Sequence, residues 1–324
     1  MSNRARSAPA NPVLLALVGS ACISSSAVLV SLADQPPGTT GFYRCALALP
    51  GLALLSGAEG RRLGRRSPNR RVAAALAGAF LGFDLVLWAH AIYDVGAGVA
   101  TVLGNLQVVF VAALAWLVMR ERPGRNFVLA LPVVVGGVVL VSGLGAPSAA
   151  GTHPLAGALY GVATSISYSV FLLLLRRAAS GLAHVAGPML DATAGAAAAA
   201  LVLGLALGEM RFGAPLAALG WLATLSLVSQ TVGWLFITSA LPRLPAAVSA
   251  LLLLIQPAGS LVLAAAVLGQ RPSGLQVLGA VLVCSGVAVA ALRTSGRQRP
   301  VPAAARPGGD LGTVPSLLGE EAAG

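Results

Sequence analysis

Ten long apolar segments, separated by short polar stretches, constrain this chain more than any other feature of its sequence. Each holds roughly the 17 to 25 residues that a helix needs to cross the hydrocarbon core of a bilayer. Because only 10% of the residues are charged and the mean hydropathy is +0.85, a water-soluble domain of this length is excluded. The sequence predicts an all-α membrane protein with ten transmembrane helices, spans 1 to 10, at residues 13–32, 41–57, 72–92, 97–118, 127–143, 155–175, 186–207, 216–239, 246–268 and 274–292.

The arginines predict how these spans are oriented. All 21 basic residues are arginine, and 18 of them fall in the segments that lie inside if the N-terminus is inside. Both termini are therefore expected in the cytoplasm, and the net charge of +11 needs no nucleic-acid partner to explain it. A composition without lysine but rich in alanine, glycine and arginine is typical of GC-rich bacteria, so we expect a multi-pass protein of the bacterial cytoplasmic (plasma) membrane, the inner membrane.

An internal repeat divides the chain into two halves. Residues 97–140 align with 246–289 without a gap, at an offset of 149, and 14 of 44 positions are identical. The polar matches carry the most weight, because alanine, valine and leucine match often by chance. The repeated unit is five helices, and since five is odd, the second copy enters the membrane from the opposite side. The main polar matches are Gln107 with Gln256 and Arg122-Pro123 with Arg271-Pro272.

Such inverted repeats are typical of secondary transporters, which bind their substrate near the bilayer midplane between the two halves. The sequence has no phosphate-binding glycine loop before a lysine, no Ser-His-Asp set and no metal-ligand cluster, so neither ATP-driven transport nor catalysis is expected, and neither is a cofactor or a metal. A membrane enzyme or a non-transport membrane protein is the less favoured alternative.

The residues of spans 4–5 and 9–10 resemble the two EamA-type repeats of the drug/metabolite transporter superfamily. The resemblance is carried by Gly96-Ala97-Gly98, Leu106-Gln107-Val108-Val109-Phe110 and Glu121-Arg122-Pro123 in the first half, and by Gln256-Pro257 and Leu268-Gly269-Gln270-Arg271-Pro272 in the second. It implies two inverted five-helix repeats, at 13–143 and 155–292, and a carrier of small metabolites, usually outward. The remaining parts are then a cytoplasmic tail at 1–12, an outer linker at 144–154 and a disordered cytoplasmic tail at 293–324.

Asp84 is the strongest single candidate for a site residue, because a carboxylate near the middle of a span must face a cavity, find a partner or bind a proton. The alternative is a carboxyl group that only packs helices. Trp88 is one turn away on the same helix face, where it either stacks on a ligand or lies at the interface. Arg44, at the outer end of span 2, is expected to pair with Asp34 or Asp94.

Carboxamides and serines supply the other candidates. Gln107 and Gln256 occupy equivalent positions and should meet across the pseudo-axis, either to bind substrate or to bond helix to helix. Asn105 lies two residues from Gln107 and forms a second polar stripe with Thr101, so one of the two stripes is expected to face protein. Further candidates are Gln230 with Trp234 one turn on, Ser24, Ser167 and Tyr168, with Pro257 as a kink or gate.

Serines in membrane helices often bond to their own preceding turn, which is the alternative for Ser24 and Ser167. Asp191, near the inner end of span 7, is expected to reach Arg176 or Arg177. The leading hypothesis is an exporter of an amino-acid-like or drug-like metabolite, coupled to protons through Asp84. The alternative is an uptake carrier for a vitamin or nucleoside-type metabolite.

Overall fold

The computed structural model describes residues 11–119, 129, 132–137, 140, 153–179, 183–240 and 255–294. All regular structure in these residues is helical. Within them, six helical segments are long and apolar enough to cross a membrane, and three shorter apolar helices accompany them. Most of predicted span 5 and the first part of span 9 lie outside the described residues, so the count of ten helices stays a prediction. The same is true of most of the tails and the 144–154 linker.

Prolines begin several helices of the first half, because a helix start leaves its first N–H groups without partners in any case. Pro12, Pro37 and Pro68 occupy such positions. Glycines end two of them, at Gly64 (φ 84°) and Gly96 (φ 86°), where a side chain would strain the backbone. The helices are α1 (Pro12–Ser24), α2 (Ser26–Ala33), α3 (Pro37–Ala46), α4 (Leu49–Leu63), α5 (Pro68–Val95), α6 (Ala97–Gly104) and α7 (Gln107–Met119).

The second half contains a stretch of π-helix inside an otherwise α-helical segment. This stretch, here called the π-segment, covers Leu225–Gly233 and buries Ser226, Ser229 and Gln230. Such widened turns occur mostly at functional positions of helices. The remaining helices are α8 (Pro154–Ala179), α9 (Ala186–Ala206), α10 (Leu216–Thr224), α11 (Trp234–Ala240), α12 (Ile255–Leu268) and α13 (Gly274–Thr294).

The two halves enter the bundle from opposite ends. The chain that follows α2 meets the end of α5, where the Tyr93 hydroxyl donates to the Gln35 carbonyl (2.8 Å). The residue before α8 meets the same end of α5, since the His153 N–H donates to the Asp94 carbonyl (3.4 Å). The first segment of one half therefore finishes where the first helix of the other begins, which is the geometry of an inverted repeat.

Close packing of small residues joins the halves. A Cβ at Gly78 would overlap the Ala192 carbonyl, and a Cβ at Gly82 would lie 2.5 Å from the Ala196 carbonyl, so α5 and α9 are in backbone contact. Large apolar side chains face outward instead: Leu54 is 77% exposed and Leu216 is 85% exposed. These outward side chains fit a lipid environment and would be unfavourable in water.

Candidate functional site

A cavity of about 100 Å³ lies inside the bundle and receives side chains from both halves. Its lining mixes one cation, one carboxylate, carboxamides, hydroxyls and aromatic rings, which is the composition of a polar ligand site rather than of a packing defect. The lining residues are Ile23, Ser26, Arg44, Leu81, Asp84, Leu85, Trp88, Thr101, Gly104, Asn105, Gln107, Thr164, Tyr168, Trp234 and Gln256.

Helix breaks occur at the level of this cavity. Between α6 and α7 the chain turns at Asn105, and the Ser165 hydroxyl lies within hydrogen-bond distance of the carbonyls of Leu103 (2.8 Å) and Gly104 (3.1 Å). The break between α1 and α2 lies at Ser25, next to the cavity-lining Ser26. Irregular backbone at membrane depth is tolerated only where its N–H and C=O groups find partners in protein or face a water-filled cavity. The position of these breaks beside the cavity fits that rule.

Arg44 is the cation of the site, and it is 5% exposed. Its Nε donates to Gln230 Oε1 (3.1 Å) and its Nη2 donates to Ser229 Oγ (3.4 Å). The guanidinium also lies 5.6 Å from the centre of the Trp88 ring, in a cation–π arrangement. Within the described residues, no carboxylate lies within 4 Å of it, so Arg44 is held by neutral groups.

A chain of polar side chains stands behind Arg44. Gln230 is fully buried and donates through Nε2 to Thr193 Oγ1 (3.4 Å). Ser229 shares a hydrogen bond with Ser26 (2.5 Å). The π-segment thus supplies two consecutive residues to one guanidinium, and α2 and α9 supply the residues that fix them. We call Thr193, Gln230, Ser229 and Ser26 the arginine support.

Asp84 lies in the same cavity as Arg44, on the same face of α5 as Trp88, as the spacing of the two residues predicts. It is 7% exposed, and the Thr164 hydroxyl donates to its backbone carbonyl (2.8 Å). None of the salt bridges among the described residues involves Asp84. Its carboxyl group is therefore placed to meet a ligand or a proton in the cavity.

Of the four carboxamides expected at the site, Asn105, Gln107 and Gln256 reach the cavity, and Gln230 does not. Gln107 and Gln256 both line the cavity, and neither makes a side-chain hydrogen bond with any described residue. Asn105 donates to the Thr101 carbonyl (2.8 Å), and Thr101 in turn shares a hydrogen bond with Ser260 (3.0 Å). The expectation that one polar stripe faces protein is wrong, because the break between α6 and α7 turns both stripes toward the cavity.

Aromatic rings form part of the cavity wall. Tyr168 and Trp234 both line it, with ring centres 6.0 Å apart, and Phe171 packs edge-on against Trp234 (6.1 Å). Gln230 does not line the cavity, although it lies one turn before Trp234. The π-segment is the reason, since its wider turns rotate Gln230 away from the face that Trp234 presents.

The two candidate serines, Ser24 and Ser167, lie outside the cavity lining. Ser24 donates to the Ser20 carbonyl (2.8 Å) in its own preceding turn, and Ser167 donates to the Phe80 carbonyl (2.8 Å) across the α5–α8 contact. Both hydroxyls therefore have backbone partners. Pro257 is buried near the described start of α12, and the carbonyl of residue 253, on which the predicted kink depends, lies outside the described residues.

Arg44 is the site residue that sequence reasoning misplaced. Predicted span 2 begins at residue 41, which puts Arg44 at the membrane surface, but α3 begins at Pro37 and carries Arg44 almost two turns into the bundle. Its expected pairing with Asp34 or Asp94 is wrong. The sequence did contain a signal for Arg44 as a site residue, because a charged residue inside an apolar span is a functional candidate by default.

Asp191 also has partners other than those expected. It pairs with Arg66 (2.6 Å), with both side chains 7% exposed, and with Arg71 (3.5 Å), which is 60% exposed. These arginines precede or begin α5, and they reach α9 because the two helices lie in backbone contact. Among the described residues, no group of three His, Cys, Asp or Glu side chains is placed to hold a metal ion.

Comparison with known proteins agrees with this architecture. Residues 10–143 and 155–292 each match the EamA-like transporter family. Twenty-two chains of solved structures match, and one of them, described only as "Crystal structure of protein", has a TM-score of 0.60 and 19% identity over 88% of this chain and 98% of its own. That likeness shows the fold alone. No curated protein matches significantly. Since the two family matches span most of the sequence, the chain belongs to the EamA-like transporter family of the drug/metabolite transporter superfamily.

Proposed function

We propose that this transporter is a secondary carrier that exports a compact polar metabolite across the bacterial cytoplasmic membrane by alternating access. The observation that carries the proposal is the cavity between the inverted halves, lined by Arg44, Asp84, Gln107 and Gln256. A site at the interface of two inverted repeats is reached from each side in turn when the halves rock against each other.

The size of the cavity favours a small cargo. About 100 Å³ is well below the ~300–1,000 Å³ of pockets for drug-sized ligands. Of the two cargo classes in the export hypothesis, an amino-acid-like metabolite fits this volume better than a drug-like one.

Asp84 is the proposed point of proton coupling. The sequence contains no ATP-binding motif, so the energy must come from a gradient. A buried carboxyl group in the cavity, outside every salt bridge among the described residues, can take up a proton on one side and release it on the other.

The proposed orientation places the arginine-rich end in the cytoplasm. Arg66 and Arg71 lie at the start of α5, and Arg176 and Arg177 at the end of α8, which runs antiparallel to α5. Positive residues accumulate on the cytoplasmic side of membrane proteins. A cysteine-accessibility experiment with a label that does not cross the membrane would test this orientation.

The function is tested by comparing extracellular and intracellular metabolites in wild-type, deletion and overexpression strains. Export predicts that one compact polar metabolite accumulates inside the deletion strain and outside the overexpression strain. The opposite pattern would support the uptake alternative. If no compound changes in either strain, the carrier function is wrong.

A further inference from the structure

We propose that Arg44 binds a carboxylate group of the substrate and that the arginine support holds its guanidinium ready to do so. The inference rests on the proposed carrier function and names the chemical class of its cargo. It also assigns Gln230 a role as a positioning residue rather than a cavity-lining residue.

The first step is that no carboxylate of the described residues is in direct contact with Arg44. A buried cation is costly unless an anion compensates it, and Arg44 is 5% exposed. The nearest acceptors are neutral, namely Gln230 Oε1 and Ser229 Oγ. Within the described residues, Arg66, Arg71 and His90 have carboxylate partners but Arg44 has none within 4 Å. Asp84 attracts Arg44 from beyond ion-pair distance in the same cavity, and an anionic group entering the cavity would supply a partner in direct contact.

The second step is the free face of the guanidinium. Arginine carries five N–H donors, and the described residues accept from Nε and Nη2. Nη1 makes no hydrogen bond with a described residue. It is nevertheless not enclosed by protein atoms, because the enclosed polar atoms without a partner belong to other residues. Since Arg44 lines the cavity, Nη1 is open to it. The remaining donors can therefore reach a ligand.

The third step selects a carboxylate over other anions. Planar guanidinium groups bind planar carboxylates through paired hydrogen bonds. A phosphate would bring up to two negative charges to a cavity that holds one cation and also Asp84. Arg44 and an ionised Asp84 already balance each other, so a single carboxylate adds one negative charge, which one proton on Asp84 offsets. Trp88 beneath the guanidinium further restricts the approach to the edge of its plane.

The fourth step is preorganisation. Gln230 is fully buried, and it is itself held by Thr193 (3.4 Å). Ser229 is held by Ser26 (2.5 Å). Because these contacts fix the guanidinium before a ligand arrives, little ordering of the side chain has to accompany binding. The arginine support consists of neutral residues, so it positions the guanidinium without forming an ion pair with it.

The test uses the purified full-length chain in lipid nanodiscs and matched pairs of probes. The acids are L-alanine, L-threonine, pyruvate and nicotinate, and their partners are L-alaninamide, L-threoninamide, pyruvamide and nicotinamide. Binding is followed by the shift in melting temperature and by tryptophan fluorescence, to which Trp88 should contribute. We expect at least one acid to bind at least about tenfold more tightly than its amide. Inorganic phosphate should not compete.

Variants assign this preference to Arg44. In Arg44→Gln the difference between acid and amide should disappear, and in Arg44→Lys it should be weakened but kept. Arg71→Gln is the matched control, because Arg71 is exposed and lies outside the cavity lining. This variant should keep the full preference for acid over amide. The acid–amide comparison in the wild-type protein does not depend on whether a variant folds.

Several results would overturn the inference. They are equal binding of acids and amides, binding of no acid in the set, competition by phosphate, or an acid preference that survives Arg44→Gln. Transport of a neutral metabolite that Arg44→Gln leaves unchanged would reject the inference and keep the carrier function. Selective acid binding without any metabolite flux would reject the carrier function and keep the binding site.

Discussion

Replacing Gln230 by glutamate should weaken binding of a carboxylate ligand without reshaping the site. The two side chains have nearly the same shape, and the acceptor Oε1 already lies 3.1 Å from Arg44 Nε. The change converts a neutral hydrogen bond into an internal ion pair. The glutamate would then already be ion-paired with Arg44 when the ligand arrives.

The magnitude follows from this geometry. Two unit charges about 4 Å apart attract by about 4 kcal/mol at an effective dielectric constant of ~20. Much of that is offset by the desolvation of the buried carboxylate, so folding stability should change little. The ligand loses more, because it competes for the same cation and is repelled by Glu at position 230. Losing one charge-assisted hydrogen bond, about 1.5–3 kcal/mol, corresponds to ~10- to 150-fold weaker binding.

The assay is the titration of the best-binding acid and its amide against three proteins. Gln230→Met removes the acceptor without adding charge and should cost the acid only about 1 kcal/mol. Affinity for the acid should therefore fall in the order wild type, Gln230→Met, Gln230→Glu, while affinity for the amide stays nearly constant. Tighter or unchanged binding of the acid to Gln230→Glu would refute the reasoning.

Three further predictions concern packing, the buried ion pair and coupling. Gly78→Ala should lower the free energy of unfolding by about 1–3 kcal/mol, and with it the melting temperature, since its Cβ would overlap the Ala192 carbonyl. Gly57→Ala, with open space around it, should be neutral or stabilising. Arg66→Gln should cost up to about 3–5 kcal/mol, because it leaves the buried Asp191 carboxylate only the exposed Arg71 as an ion-pair partner. Arg71→Gln should cost less than about 1 kcal/mol, and thermal unfolding in detergent measures both variants. Asp84→Asn should transport substrate without proton dependence in liposomes with an imposed pH gradient, and fully proton-dependent transport would remove Asp84 from the coupling role.

The local sequence predicted much of the cavity wall. Asp84 with Trp88, and Gln107 with Gln256, were identified from their spacing and from the repeat, and all four line the cavity. Helix periodicity and the offset between repeats are properties of the sequence itself, so no tertiary information is needed to place these residues on equivalent faces. Their roles in binding and coupling remain predictions.

Partner choice could not be predicted in the same way. Ser24 bonds to its own preceding turn, as the alternative for it predicted, but Ser167 donates to the Phe80 carbonyl on the neighbouring α5. Asp191 reaches Arg66 rather than the arginines closest to it along the predicted loops, because glycine contacts bring α9 against α5. Such partners depend on which helices touch and at what register, and neither is encoded in a single helix.

The sequence by itself determined that this chain is an apolar, twice-repeated helical membrane protein, because hydropathy and repeat symmetry are read residue by residue. Only the tertiary structure decided the chemistry around Arg44. An early start of α3 brings Arg44 inward, and the wide turns of the π-segment direct Ser229 and Gln230 onto its guanidinium. One is a helix boundary and the other a local change of helical pitch. Neither is visible in hydropathy, which is averaged over a whole span.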